Sequence, residues 1–270
     1  MRWVPFLVLL VALLAAGTAA VWWRARQRRV VPQRRAPRLR HPVVLAHGAF
    51  GFDEIAVAGR RHRYFRNIAD GLGQLGANFH HPRVPASGSV AARAQKLVEL
   101  VQDLPGDRVN VIAHSMGGLD ARYAIAHLGL KGRVASLVTI GTPHRGTKVA
   151  ALPVSRGIAR LLRIDALGDL TPSALERFNR EAPDSDGVAY CSVVASSDRA
   201  HTHPLLWPTH AYLSANGGAN DGLVPAASQR WGTVLREVQA DHWAQVGWSR
   251  HFDAIALYEQ ILRELAALGF

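Results

Sequence analysis

The feature that most constrains this chain is an alternation of two patterns. Short, largely apolar runs, VVLA (43–46), RVNVIAH (108–114), VASLVTIGTP (134–143), GVAYCSVVASS (187–197) and TVLREVQ (233–239), are separated by stretches with helical spacing. An apolar run without polar alternation suits a strand buried on both faces of a parallel sheet. Between the runs, RYFRNIADGLGQLG sets Phe65, Ile68, Leu72 and Leu75 on one helical face, and SVAARAQKLVELVQD starts with Ser89 as a cap. GGLDARYAIAHLG is a helix closed by Gly129, and residues 251–268 form a long last helix. Strands alternating with helices define an α/β fold with a mainly parallel central sheet flanked by helices. Residues 145–186 break the alternation with helical fragments among Gly, Pro and Asp, and are expected to form a helical, lid-like insertion over one face of the sheet.

The chain has 270 residues and a formal charge of +12, but nine arginines and no acid fall within residues 1–40, so the body carries only +3. No basic stripe with interleaved aromatics runs through that body, which argues against nucleic acid as a partner. Residues 3–23 are uncharged, and their length suits a helix crossing a hydrocarbon layer of roughly 30 Å. Trp3, Trp22 and Trp23 sit at its ends, where indoles favour the interface. Residues 1–23 are therefore expected to anchor the chain in a membrane. A cleaved signal peptide, ending at the small residues of AGTAA, is the alternative. Residues 24–41 read as a basic Arg/Pro linker and residues 42–270 as the folded domain; the leaflet faced stays open. With a single cysteine, Cys191, no internal disulfide forms.

One serine stands out. VNVIAHSMGGLDAR takes the chain from strand to helix through Ser115, with Ala113 two residues before and Gly117 two residues after. A sharp turn there needs small neighbours, lifts the hydroxyl above the sheet, and aims helix N-terminal amides at a developing oxyanion. The pattern is A-x-S-x-G rather than G-x-S-x-G. An N-capping serine is the plain alternative.

A serine hydroxyl needs a base, and the base needs a carboxylate, arranged along the chain as serine, acid, histidine in this architecture. His242 follows the last strand and precedes the last helix, so it is the candidate base. Asp221 in ANDGLVP is the favoured acid, with Asp198 and Asp241 as rivals. Ala49, in the loop HGAFGF, and Met116 are the candidate backbone N–H donors to the oxyanion. His47, His114, His144 and His251 read as structural, hydrogen-bonding or solvated residues.

Taken together, VLAHGAFGFD, VNVIAHSMGGLDARY, VTIGTPHRGT, ERFN, ANDGLVP and DHWAQV resemble, in order, the bacterial true lipases of the α/β-hydrolase superfamily, the Pseudomonas/Burkholderia type. That resemblance spans residues 42–250. It implies an α/β-hydrolase fold and hydrolysis of acylglycerol esters by Ser115, Asp221 and His242. It also implies Ala49 and Met116 at the oxyanion and a lid after TPHRGT. The family's calcium aspartate would fall at position 244, which is Ala244 here, so no calcium and no other cofactor is expected. Met116 replaces a histidine common after the nucleophile, and the family disulfide cannot form. The partners implied are a lipid or ester substrate and a membrane.

Two further patterns carry alternative readings. HTHPLLWPTH clusters His201, His203 and His210, but its prolines read as loop and metal binding is disfavoured. Arg60 to Arg66 read as a solvated helix start. The rival functions are an acyltransferase or thioesterase using the same triad, and a non-catalytic membrane-tethered scaffold.

Overall fold

A computed structural model describes residues 36–270, apart from 50–53, 58–59, 75, 83, 86, 154, 156, 158–164 and 250. The expected anchor (3–23) and most of the linker lie outside the described residues. No helix among the described residues is long and apolar enough to cross a membrane.

The first half of the chain holds β1 (Val43–Ala46), β2 (Glu54–Val57), β3 (Arg60–Arg63), α1 (Ile68–Gly73), β4 (Phe79–His80), α2 (Val90–Asp103), β5 (Val109–His114) and α3 (Gly117–His127). The second half holds β6 (Val134–Ile140), α4 (Asp165–Asp169), α5 (Pro172–Glu181), β7 (Ala189–Ser196), α6 (Trp207–Gly217), α7 (Ala226–Gln229), β8 (Thr233–Gln239) and α8 (Ala254–Ala267). Six strands form one sheet in the order β4-β1-β5-β6-β7-β8, and each of its pairings is parallel. The strands β2 and β3 make a separate antiparallel hairpin.

Period-two geometry divides each strand between two cores. On one face Val43, Leu45, Ile112, Val138 and Val193 pack with Ile68 and Leu72 of α1 and with Leu257, Tyr258, Ile261 and Leu265 of α8. On the other face Val44, Ala46, Val109, Val111, Ala113 and Leu137 pack with Ala94, Leu97 and Val98 of α2 and Ala124 and Ile125 of α3. Both faces of β1, β5 and β6 are buried, which is why these strands read as largely apolar runs. A fully buried Leu or Ile in such layers contributes about 1.5–3 kcal/mol.

Two sequence expectations are corrected here. Arg60–Arg63 is strand, not helix start, and the helix after it begins only at Ile68. HTHPLLWPTH is not a loop: a 3-10 turn over Pro204–Leu206 leads into α6. Pro208 lies in the first turn of α6, where a missing N–H costs nothing. The two-residue edge strand β4 went unread.

The chain leaves β1 toward one edge, reaching β4, and then crosses to β5 on the other side of β1 before running outward to β8. That reversal opens a crevice at the carboxyl ends of β1 and β5, the place where open α/β sheets bind ligands.

Candidate active site

Ser115 directly follows β5 and has φ of 54°, a left-handed conformation that few non-glycine residues adopt. Holding it costs about 1–3 kcal/mol. Its N–H donates to the Ile140 carbonyl at 2.9 Å, and its own carbonyl accepts from Thr142 Oγ1 at 2.7 Å. Small residues are required after the serine. A Cβ on Gly117 would meet the Ala46 carbonyl oxygen at 2.6 Å, and one on Gly118 would meet Thr142 Oγ1 at 2.4 Å. The helix can therefore start tight against the end of β1.

Ser115 Oγ lies 3.0 Å from His242 Nε2, and His242 Nδ1 lies 2.7 Å from Asp221 Oδ2. Their loops are joined through the backbone as well, since His242 N–H donates to the Asp221 carbonyl at 2.7 Å. Asp221 is fully buried. Its Oδ1 accepts from the N–H groups of Leu223 (3.0 Å) and Val224 (2.8 Å), and its Oδ2 also accepts from Gln245 Nε2 at 2.9 Å. Every one of these donors points at the carboxylate, so its two oxygens serve as acceptors. The structure thus brings together the three residues singled out in the sequence.

The rivals point elsewhere. Asp198 is exposed and pairs with His201, while Asp241 accepts from the N–H groups of His203, Trp243 and Ala244. Ala244, at the expected calcium position, is buried with Ala195 and Ala240. The position thus offers no side-chain oxygen, and calcium takes six to eight oxygen ligands. Of the other histidines, His203 Nδ1 accepts from Leu205 N–H and His210 Nε2 donates to the Ser197 carbonyl.

The loop after β1 runs against the nucleophile. A Cβ on Gly48 would come within 2.7 Å of Ser115 Cβ and 3.1 Å of its Oγ. Two peptide planes of this loop are clamped. The His47 carbonyl accepts from Arg93 Nη2 at 2.6 Å, and the Gly48 carbonyl accepts from His47 Nδ1 at 3.0 Å. Arg93, fully buried, also donates to Asp120 Oδ2 at 2.8 Å and to the Pro85 carbonyl at 2.9 Å. Burial, outweighing the opposing charge of Arg93, pushes the Asp120 carboxyl up to about 7. Ala49 and Met116 share one apolar cluster with Val90, Leu119 and Leu175.

A second buried cation braces the other side. Arg122 donates to Asn179 Oδ1 and to the Ala182 carbonyl, and lies 3.7 Å from the centroid of the Trp231 ring. His144 stacks on the same ring, and burial followed by the charges of Arg122 and Arg145 holds it well below the usual histidine range. These contacts pin the start of the segment after β6 to α3 and α5.

Several of these residues escaped the sequence reading. Arg93 is three residues from Val90 and four from Leu97, on the apolar face of α2, and a charge at that spacing was a signal that could have been used. Gln245 follows His242 by three residues, about one helical turn. For Tyr64, discussed below, no local signal exists.

A sharp strand–serine–helix turn at the switch point of a parallel sheet is the architecture of the α/β-hydrolases. Comparisons with known proteins agree. A family model described as a domain of unknown function, DUF7379, matches residues 11–174. The chain is 31% identical to triacylglycerol lipase 2 of Saccharomyces cerevisiae over 77% of its own length and 74% of that protein's. It is 27% identical to the triacylglycerol lipase of Pseudomonas fragi over 85% of its length and 97% of that protein's. Among solved structures, a metagenomic carboxyl esterase is similar with a TM-score of 0.76 and 23% identity, covering 91% of this chain and 82% of that one. The chain belongs to the DUF7379 family and to the triacylglycerol lipase family of α/β-hydrolases, which are carboxylic ester hydrolases.

Proposed function

We propose that the chain hydrolyses acylglycerol esters through Ser115, His242 and Asp221. His242 Nε2 takes the Ser115 proton as Oγ attacks the ester carbonyl. Asp221 holds the imidazole by Nδ1 and offsets the charge of its cation. The carbonyl oxygen, now an oxyanion, accepts from the N–H groups of Ala49 and Met116; one such donor lowers the barrier by about 2.7–4 kcal/mol. As the tetrahedral adduct collapses, the imidazolium returns its proton to the departing alcohol. Water, deprotonated by His242, then cleaves the acyl-serine and releases the acid. The observation that best supports this reading is the unbroken series Ser115 Oγ, His242, Asp221, at 3.0 and 2.7 Å. The same reading gives residues 3–23 the task of holding the hydrolase at a lipid surface. The full chain is then expected in the membrane pellet, and recovery in the soluble fraction would contradict that assignment.

The test is hydrolysis of p-nitrophenyl esters, from acetate to palmitate, by the full chain and by Ser115→Ala. Activity that rises with chain length and vanishes in the variant is expected. Activity confined to short chains would reassign the substrate to small esters. Hydrolysis retained by Ser115→Ala would overturn the mechanism.

A further inference from the structure

Behind the Asp221 carboxylate, a line of buried polar groups leads back to the loop beside Ser115. Its members are Gln245, His114 and Tyr64. Gln245 and His114 are fully buried, and Tyr64 is partly so. The distances are 2.9 Å from Asp221 Oδ2 to Gln245 Nε2, 3.2 Å from Gln245 Oε1 to His114 Nε2, and 2.6 Å from His114 Nδ1 to Tyr64 Oη.

Chemistry fixes the direction of every bond in this line. The Gln245 atom facing Asp221 Oδ2 is the amide nitrogen, which donates to it. The amide oxygen must then face His114 Nε2, which therefore carries a proton. His114 is neutral: burial, and next the nearby charge of His242, hold it well below the usual histidine range. A neutral imidazole has one proton, so Nδ1 is bare and takes the Tyr64 hydroxyl proton. The Tyr64 oxygen in turn accepts from the Gly48 N–H, which opposes the rise that burial imposes on the phenol.

We propose that Tyr64, His114 and Gln245 form an orientation relay, in which the tyrosine hydroxyl selects the His114 tautomer and so keeps the Gln245 amide donating to Asp221. The three are positioning residues. They touch no reacting atom, yet they tie the loop at Gly48 to the carboxylate behind His242. Without the Tyr64 hydroxyl, the His114 proton can move to Nδ1. Bare Nε2 would then face Gln245 Oε1, lone pair against lone pair. Turning the amide cures that clash only by presenting its oxygen to Asp221. Either way Asp221 loses a donor and draws harder on the His242 proton. The titratable groups around this region are Asp221 and His114 against His242, His47 beside His114, and Tyr64, which feels the Arg93 charge.

The inference rests on the triad reading, and one experiment separates the two. The rate of fluorophosphonate inactivation at Ser115 is followed against pH for the full chain, Tyr64→Phe, Gln245→Met and the double variant. The relay predicts that each single variant moves the acid limb upward by about half a pH unit or more, because a hydrogen bond to the charged carboxylate is lost. It also predicts that the double variant moves the limb no further than Gln245→Met alone. Unmoved limbs, or shifts that add, would overturn the relay and leave the triad standing. A parent enzyme that never labels would overturn the triad and the relay with it. Each single variant is diagnostic by itself, so a folding failure in one leaves the other as the test.

Discussion

Gly48→Ala puts the account of the β1 loop under direct load. The added methyl would lie 2.7 Å from Ser115 Cβ and 2.8 Å from Tyr64 Oη. Carbon atoms in ordinary contact sit about 3.5–4.0 Å apart, so roughly 1 Å must be found. Ser115 cannot easily yield, because its backbone is held by Ile140 and Thr142. The loop is held in turn by Arg93. A misplacement of about 1 Å at reacting groups lowers a rate about 100-fold, or about 2.7 kcal/mol in the barrier. Overpacking adds about 1–3 kcal/mol of lost stability. The assay is kcat and KM for p-nitrophenyl butyrate beside a thermal melt. Gly132→Ala, whose methyl would meet nothing within 4 Å, is the control and is expected to match the parent. A folded Gly48→Ala enzyme with kcat within threefold of the parent would refute the claim that this backbone abuts the nucleophile.

Three further outcomes are expected. Arg93→Met leaves the Asp120 carboxylate and the His47 carbonyl without their buried donor, and should cost about 3–5 kcal/mol with a marked fall in kcat; a melt within 1 kcal/mol of the parent, on the order of the noise of such comparisons, would contradict it. Stability against pH should show two opposed slopes. His114 and His144 stay neutral when folded, so the unfolded chain binds more protons below about 6.5 and stability falls with falling pH. Asp120, raised from 3.8 to about 7, works the other way and loses stability as pH rises through that window. Asp120→Asn should therefore steepen the acid-side loss, and an unchanged slope in denaturant titrations would contradict the assignment. Finally, chelation by EDTA should leave hydrolysis unchanged, since the Asp241 carboxylate is taken by backbone donors and Ala244 is apolar; a loss of activity restored by calcium would show a site that these residues do not form.

How much was legible in the sequence follows from which interactions are local. Val43–Ala46, Val109–His114 and Val134–Ile140 are buried on both faces, and that condition writes itself into sequence as uninterrupted apolar runs. Ser115 was legible because a turn this tight admits only small residues two positions away on either side. Ser89 and Gly129 were legible because end signals of helices lie within a few residues of the end. By contrast α6 buries only Leu213, so it carries no amphipathic period, and two prolines at its entrance mimic a loop. Tyr64, His114 and Gln245 meet from positions 50 and 131 residues apart, and only the strand order brings them together. A network of that kind has no sequence signature short of the fold itself.

The central claim is that Ser115 is an activated nucleophile. Its most direct measurement is peptide mapping of the full chain after reaction with a fluorophosphonate, beside Asp221→Asn. The account predicts a single adduct on Ser115, formed far more slowly in the variant because His242 loses the partner that orients it. An unlabelled Ser115, or labelling at the same rate in Asp221→Asn, would contradict it.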